Sequence, residues 1–321
     1  METMMAAGRK LRKKAGQFFF KLWRKIAQPL GDRYQDFDTR MFKENEMDPA
    51  FPCNDFENIK NPYFAKWGFD VSQLDAAYYS RVSGIVADHY VTRSMAIHFI
   101  YPYLCRYSFL EAYMDKNMQK RILGLGHGDS LGVMSTEDIV YNCNGVFFDA
   151  DDNVISEEKA LEILLSYGDG MIVKPSVETY GGHGVSLLRK GVDITELQDV
   201  MKAMRCNYTF QKLIRQHELL AAFNPSSVNT VRIVTYRTPS KEKKVLYSCI
   251  RFGGEGSVID NVCSGGGYTG INLATGHLRD RRRYSYFVQD APMLPDSVPD
   301  EIPCWEKIVE AALMLHDRLP H

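Results

Sequence analysis

Met171-Ile172-Val173-Lys174-Pro175 is an apolar run, Ser176-Val177-Glu178-Thr179-Tyr180-Gly181-Gly182-His183-Gly184 a loop of mostly small residues, and Val185-Ser186-Leu187-Leu188 a second apolar run. This order predicts a β-hairpin with a long tip. Lys174 stands at the inner end of the first strand, and Gly181, Gly182 and Gly184 crowd the tip. Glycine lets backbone N–H groups approach an anion with no side chain in the way, and it accepts positive φ. A lysine beside such a loop supplies a point charge for phosphate. Taken alone, the stretch fits a phosphate lid, and it equally fits a solvated turn beside an unrelated lysine. The surrounding chain has to decide between them.

The chain has 321 residues, enough for two domains, and its 45% hydrophobic and 25% charged content is that of a soluble globular protein. A net charge of −1 provides no global field for nucleic acid, which is not expected as a partner. The seven cysteines are scattered and none forms a CxxC pair. That points to a reducing cytoplasm and away from a disulfide framework or a zinc site. Cys263, near a glycine cluster, has no activating base beside it in the sequence and reads as a small buried thiol. No apolar run approaches the roughly 20 residues of a spanning helix.

Residues 9–26 carry eight lysines and arginines and no acid, with Leu11, Ala15, Phe18, Phe19, Leu22, Trp23 and Ile26 at helical spacing. Residues 1–30 therefore read as a basic amphipathic helix. Two readings stand: peripheral docking on an anionic inner membrane face, or packing on its own domain with the basic side in water. Residues 31–107 read as a mainly helical region. The remaining domain, 108–321, is expected to begin with a helix over Ser108–Leu123 that holds Asp115-Lys116-Asn117.

Further along, Val146-Phe147-Phe148 reads as a strand. Asp149-Ala150-Asp151-Asp152-Asn153 reads as a turn, because it lacks the glycine and glutamate of a calcium loop. Ser156 caps a helix that Gly168 and Gly170 stop. A helix is expected over 194–203 and strands over 208–214, 228–236 and 245–252. Val258-Ile259-Asp260-Asn261 reads as a short β segment, Ala274-Thr275-Gly276-His277 as a hairpin turn, and 305–315 as a helix. The class is α+β with mainly antiparallel sheet. Arg232 in the middle of a β run requires an explanation, since charges avoid burial unless paired. It faces either a cleft with an anion or open water at a sheet edge. Asp260-Asn261 beside a glycine cluster either binds substrate or makes a turn that uses asparagine.

In this order the pieces resemble the ATP-grasp superfamily, and within it the sugar-transfer-associated ATP-grasp family, related to α-L-glutamate ligases. The resemblance covers about Ser108 to Pro320. It rests on Asp115-Lys116-Asn117, Ile172-Val173-Lys174-Pro175, Gly181-Gly182-His183-Gly184, Asn224-Pro225-Ser226-Ser227-Val228-Asn229-Thr230-Val231-Arg232, and Val258-Ile259-Asp260-Asn261 with Gly265-Gly266-Gly267. It implies two α+β lobes with the nucleotide between them. By that similarity Lys116 and Lys174 contact ATP phosphates, Lys174 lying also near the adenine, and Gly181, Gly182 and Gly184 form a mobile lid. Gln211, Lys212 and Ile214 border the adenine, and Glu218 bonds the ribose. Arg232 faces the γ-phosphate or an acyl phosphate, and Asp260 and Asn261 touch substrate. The implied chemistry is carboxylate activation by ATP with Mg2+, followed by attack of an amine. Cell-surface polysaccharide or peptide modification is the setting the family suggests.

The chain departs from the family pattern at its end. An Asp and a Glu…Asn pair that hold magnesium are usual there, and no strand with those acids follows the helix from Trp305, so no metal ligand is assigned; a fragment of a longer reading frame is expected, the alternative being a chain that has lost its metal site. Two other functions fit the same cradle: a non-catalytic nucleotide-binding scaffold, and a kinase passing the γ-phosphate to a hydroxyl.

Overall fold

The computed structural model describes residues 110–125, 133–177, 182–285 and 292–319, together with Ala96, Ile100 and Tyr101. The basic stretch 9–26 and nearly all of the region up to residue 107 lie outside the described residues. The chain divides into two compact units, 1–105 and 106–321. The second unit is α+β, as expected, and is built on two antiparallel sheets.

The larger sheet has six strands in the order β3-β2-β1-β6-β4-β5. They are β1 (Asp138–Cys143), β2 (Val146–Asp149), β3 (Val154–Ile155), β4 (Met171–Pro175), β5 (Ser186–Leu188) and β6 (Tyr208–Lys212). Side chains alternate across a strand, so register decides which residues share a face. Val173 and Val140 both sit opposite Phe210, and all three are fully buried. With Met171 and Tyr208 they form an apolar face. It is covered by α3 (Glu157–Tyr167) through Ala160, Leu161 and Leu164, and by α4 (Ile194–Met204) through Leu197 and Met201. Burying such a side chain contributes about 1.5–3 kcal/mol.

Local sequence sets the helix ends. The Ser156 hydroxyl accepts from Lys159 N at 3.2 Å at the start of α3, and Gly168 closes it at φ 70°. The Asp193 carboxylate accepts from Glu196 N at 2.9 Å at the start of α4. The acidic turn after β2 is a turn as read: the Asp149 carboxylate accepts from the N–H groups of Asp151 and Asn153.

On the opposite face, Thr209, Gln211 and Lys174 replace the apolar residues. A β-bulge in β1 brings Asp138 to the same side. Asp138 pairs with Gln211 and Val140 with Phe210, so one extra residue, Ile139, lies between two positions that would otherwise point the same way. The expected single helix over Ser108–Leu123 is instead two, α1 (Leu110–Met114) and α2 (Lys116–Ile122). Asp115 breaks it. Its backbone is extended (φ −74°, ψ 113°) and its carboxylate accepts from Asn117 N at 2.9 Å, capping α2. Lys116 N donates to Ser176 O at 3.0 Å and Asn117 Nδ2 to Asn142 O at 3.2 Å, which docks α2 on the ends of β4 and β1.

The smaller sheet has the order β7-β8-β9, with β7 (Thr230–Arg237), β8 (Lys243–Phe252) and β9 (Gly267–Gly270). Val231, Ile233, Ile250 and Phe252 line its apolar face, which meets α6 (Trp305–Arg318) through Trp305, Ile308 and Val309. A four-residue helix, α5 (Glu218–Ala221), lies between β6 and β7. The expected hairpin turn is present: Asn272 N donates to His277 O at 2.8 Å, and Gly276 has φ 76°. Val258–Asn261 is not a strand. It is a loop leading into a 3-10 turn at Val262–Ser264, with Ser264 N and Gly266 N both donating to Asn261 O.

Candidate functional site

Lys174 and Lys116 come together on the polar face of the large sheet. Lys174 lies opposite Thr209 in the register. The Lys116 ammonium donates to Pro175 O at 3.0 Å and Ser176 O at 3.3 Å, directly beyond Lys174 in the same strand. Both amines are held below the usual lysine range. For Lys174 the cause is burial first and the neighbouring Lys116 charge second, partly opposed by Asp138. For Lys116 it is burial, partly opposed by Asp115. Two half-buried amines at one place are what an incoming anion would compensate.

A buried polar cluster fixes this floor, and sequence reading did not find it. Asp138 accepts from Thr209 Oγ1 at 2.8 Å and Gln211 Nε2 at 2.7 Å, and pairs with Lys120 Nζ at 3.1 Å. Lys120 also reaches Asp152 at 3.4 Å, where Arg121 pairs at 3.0 Å and the Tyr141 hydroxyl donates at 2.8 Å. Burial pushes the Asp152 carboxyl up, but the bonds from Arg121 and Tyr141 outweigh it and hold the group below the usual carboxylate range. Burial and the Asp152 bond push the Tyr141 hydroxyl up. Asp138→Ala leaves Thr209, Gln211 and Lys120 short of their acceptor. It is expected to lower unfolding free energy by about 3 kcal/mol, read from urea unfolding of the full chain.

The glycine tip lies against the small-sheet lobe. Gly182 has φ 78°, and a Cβ there would sit 2.5 Å from Ile259 Cγ2. Gly184 has φ 76°, and a Cβ there would sit 2.8 Å from Pro175 Cγ. Both positions demand glycine on conformation and on space. Gly181 lies outside the described residues. Ile259 precedes Asp260, so Gly182 and the Asp260-Asn261 pair are neighbours.

The segment after β6 carries the residues read as the adenine border. The Gln211 side chain is buried and turned to Asp138. Lys212 is at the surface, its amine 2.5 Å from Glu137 and its N–H bonded to Glu137 O. Strand pairing ends there, and Leu213 and Ile214 are 47% and 51% exposed. Glu218 is exposed in the first turn of α5 and has no partner among the described residues.

Arg232 lies on the edge strand β7, exposed, opposite Cys249. No described residue bonds its guanidinium. The neighbouring row pairs Thr230 with Arg251. The Thr230 hydroxyl bonds the Asp260 carboxylate. Arg251 donates to Asp260 O at 2.9 Å and Asn261 Oδ1 at 3.4 Å. The structure thus brings Arg232, Asp260 and Asn261 to one face, with Arg251 as a member that sequence reading missed. No hydrogen bond or ion pair links Arg232 or Glu218 to the two lysines among the described residues.

Two antiparallel sheets with polar faces, a glycine-tipped hairpin between them and a paired-lysine floor define an ATP-grasp fold. A family model described as sugar-transfer associated ATP-grasp matches residues 95–321, and the chain belongs to that family. No curated protein and no solved structure matches the chain. Membership carries ATP binding and ATP-dependent ligase-type chemistry in general. Among the described residues no three His, Cys, Asp or Glu side chains gather as metal ligands, and no helix is long and apolar enough to cross a membrane.

Proposed function

We propose that the protein is an ATP-dependent carboxylate–amine ligase that works through an acyl phosphate. The observation that carries this reading is the pair of half-buried amines, Lys116 and Lys174, brought together at the root of a glycine-tipped hairpin. The amines would hold phosphate oxygens of ATP, and the backbone of Gly181, Gly182 and Gly184 would close over them. Leu213 and Ile214 would meet the base, and Glu218 the ribose hydroxyls. A carboxylate oxygen of the acceptor attacks the γ-phosphorus and ADP leaves. The amine nitrogen then attacks the acyl carbon, phosphate leaves, and the amine loses a proton. Arg232 would bind the transferring phosphoryl group, and Asp260 and Asn261 would orient the acceptor. Positioning and charge neutralisation supply most of the acceleration in such a sequence.

Magnesium is usual in the family and would neutralise phosphate charge when bound. The described residues do not assemble a protein cage for it, and no step above passes through one. A role at the cytoplasmic membrane face in cell-surface polysaccharide or peptide modification, with residues 9–26 as the peripheral contact, belongs to the same proposal.

The test is phosphate release by the full chain with ATP and magnesium against a panel of carboxylic acids and amines. Release that requires both an acid and an amine is expected. ADP formed with a hydroxyl acceptor and no free phosphate would make the protein a kinase, and ATP binding with neither ADP nor phosphate formed under any acceptor would make it a scaffold.

A further inference from the structure

We propose that the acceptor carries a second anionic group besides the carboxylate that is activated, and that Arg251 and Arg279 receive it; this rests on the ligase reading above. Three strands place the residues. Arg232, Cys249 and Gly270 form one row across β7, β8 and β9. Thr230, Arg251 and Tyr268 form the next row on the same face. Rows on one face repeat every second residue, and neighbouring strands lie about 4.8 Å apart. Arg279 joins the first row through Gly270. Its N–H donates to Gly270 O at 2.9 Å, and a Cβ on Gly270 would sit 3.1 Å from Arg279 Cδ. The missing side chain leaves a groove in which the arginine stem lies.

Among the described residues the charges on this face are not balanced from within. The guanidiniums of Arg232 and Arg279 have no bonded partner among the described residues. Arg251 donates to a main-chain oxygen and to an amide oxygen, not to a carboxylate, and its buried Nε has no partner. The nearby acid, Asp260, is bonded to the Thr230 hydroxyl. The fields of Arg232 and Arg251 are both felt at the Cys249 thiol, where they oppose the upward push of burial.

One guanidinium suffices for the phosphoryl group in transfer, and Arg232 is assigned to it. Arg251 and Arg279 remain. A planar fork matches a carboxylate or phosphate in bidentate fashion. An acceptor with a single carboxylate would leave both without an anion. A dicarboxylate, or a carboxylic acid bearing a phosphate, would satisfy them.

The experiment titrates butyrate, glutarate and 2-phosphoglycolate into the full chain, free and saturated with ADP and magnesium, by calorimetry. Mant-ATP affinity is measured in parallel. At least one of glutarate and 2-phosphoglycolate (called dianions for their two anionic groups, though the phosphate ester approaches three charges) is expected to bind ten-fold or more tighter than butyrate, and the tighter one identifies the second group as carboxylate or phosphate. Arg279→Gln is expected to remove that preference while changing mant-ATP affinity less than two-fold. Arg251→Gln should do the same, with an unchanged melting temperature required of each variant, and Arg279→Lys should recover part of it. Equal binding of all three acids to the native chain overturns the proposal. So does an Arg279→Gln variant that loses mant-ATP as strongly as dianion, since the arginines would then belong to the nucleotide. If the native chain fails to bind mant-ATP yet keeps an Arg279-dependent dianion preference, the anion pair stands and the ligase reading falls.

Discussion

Lys174→Met is expected to weaken ATP binding about 100-fold and at the same time to raise the melting temperature of the nucleotide-free protein. The first effect is the loss of a charge-assisted bond to phosphate, worth about 1.5–3 kcal/mol. The second follows from linkage. Burial and Lys116 hold the Lys174 amine below its unfolded value of 10.5, so at neutral pH the protonated amine opposes folding. That opposition is relieved only as pH rises through the lowered value. Methionine keeps the stem and removes the charge. Opposite signs for binding and stability separate a ligand site from a folding defect, and the pair is read from mant-ATP titration and calorimetric melting. The same depressed amine gives a pH signature. Native ATP affinity falls as pH rises through the lowered lysine value, earlier than an ordinary lysine would allow, and the variant lacks that phase.

Arg232→Met is expected to reduce kcat by about 100- to 1,000-fold, the usual consequence of removing one preorganised group from developing charge. ATP affinity should change no more than about three-fold, because the floor at Lys116 and Lys174 is intact. The melting temperature should not move, since the guanidinium is exposed and bonded to nothing described. A rise in KM with kcat preserved would instead place Arg232 in ground-state binding.

Much of the fold follows from short stretches. The 171–188 hairpin, the capped helices α3 and α4, and strands β7 and β8 each carry their own apolar period and stop signals, so they are legible one at a time. The failures have local causes as well. Asp115 reads as a helix residue, yet its carboxylate bonds Asn117 N and divides the helix in two. Val258 to Asn261 has the right composition for a strand, but Asn261 O accepts two turn N–H groups and no strand pairs with the segment.

The candidate residues stand out in the sequence where one residue type in one place is unusual: a lysine ending an apolar strand, glycines at a tip, an arginine amid valine and threonine. What stayed hidden depends on register between distant segments. Asp138 meets Gln211 across 73 positions, and only a β-bulge turns it to the polar face. Arg251 ends an ordinary strand, and Arg279 opens the basic run Arg279-Asp280-Arg281-Arg282-Arg283, which was the available signal for it. In that run Arg281 alone pairs with a carboxylate among the described residues, that of Asp300, and Arg283 bonds Gly265 O, so sequence alone does not say which members lack an acid.

The most direct test of the account is covalent labelling of the full chain by an acyl-phosphate derivative of ATP, which transfers its acyl group to an amine beside the terminal phosphate. Peptide mass spectrometry then locates the modified lysines. Labelling at Lys174, at Lys116 or at both is expected, favoured by their depressed amines, and excess ATP should abolish it. Labelling spread over surface lysines such as Lys159 and Lys202, unaffected by ATP, would contradict the lysine cradle and the function built on it.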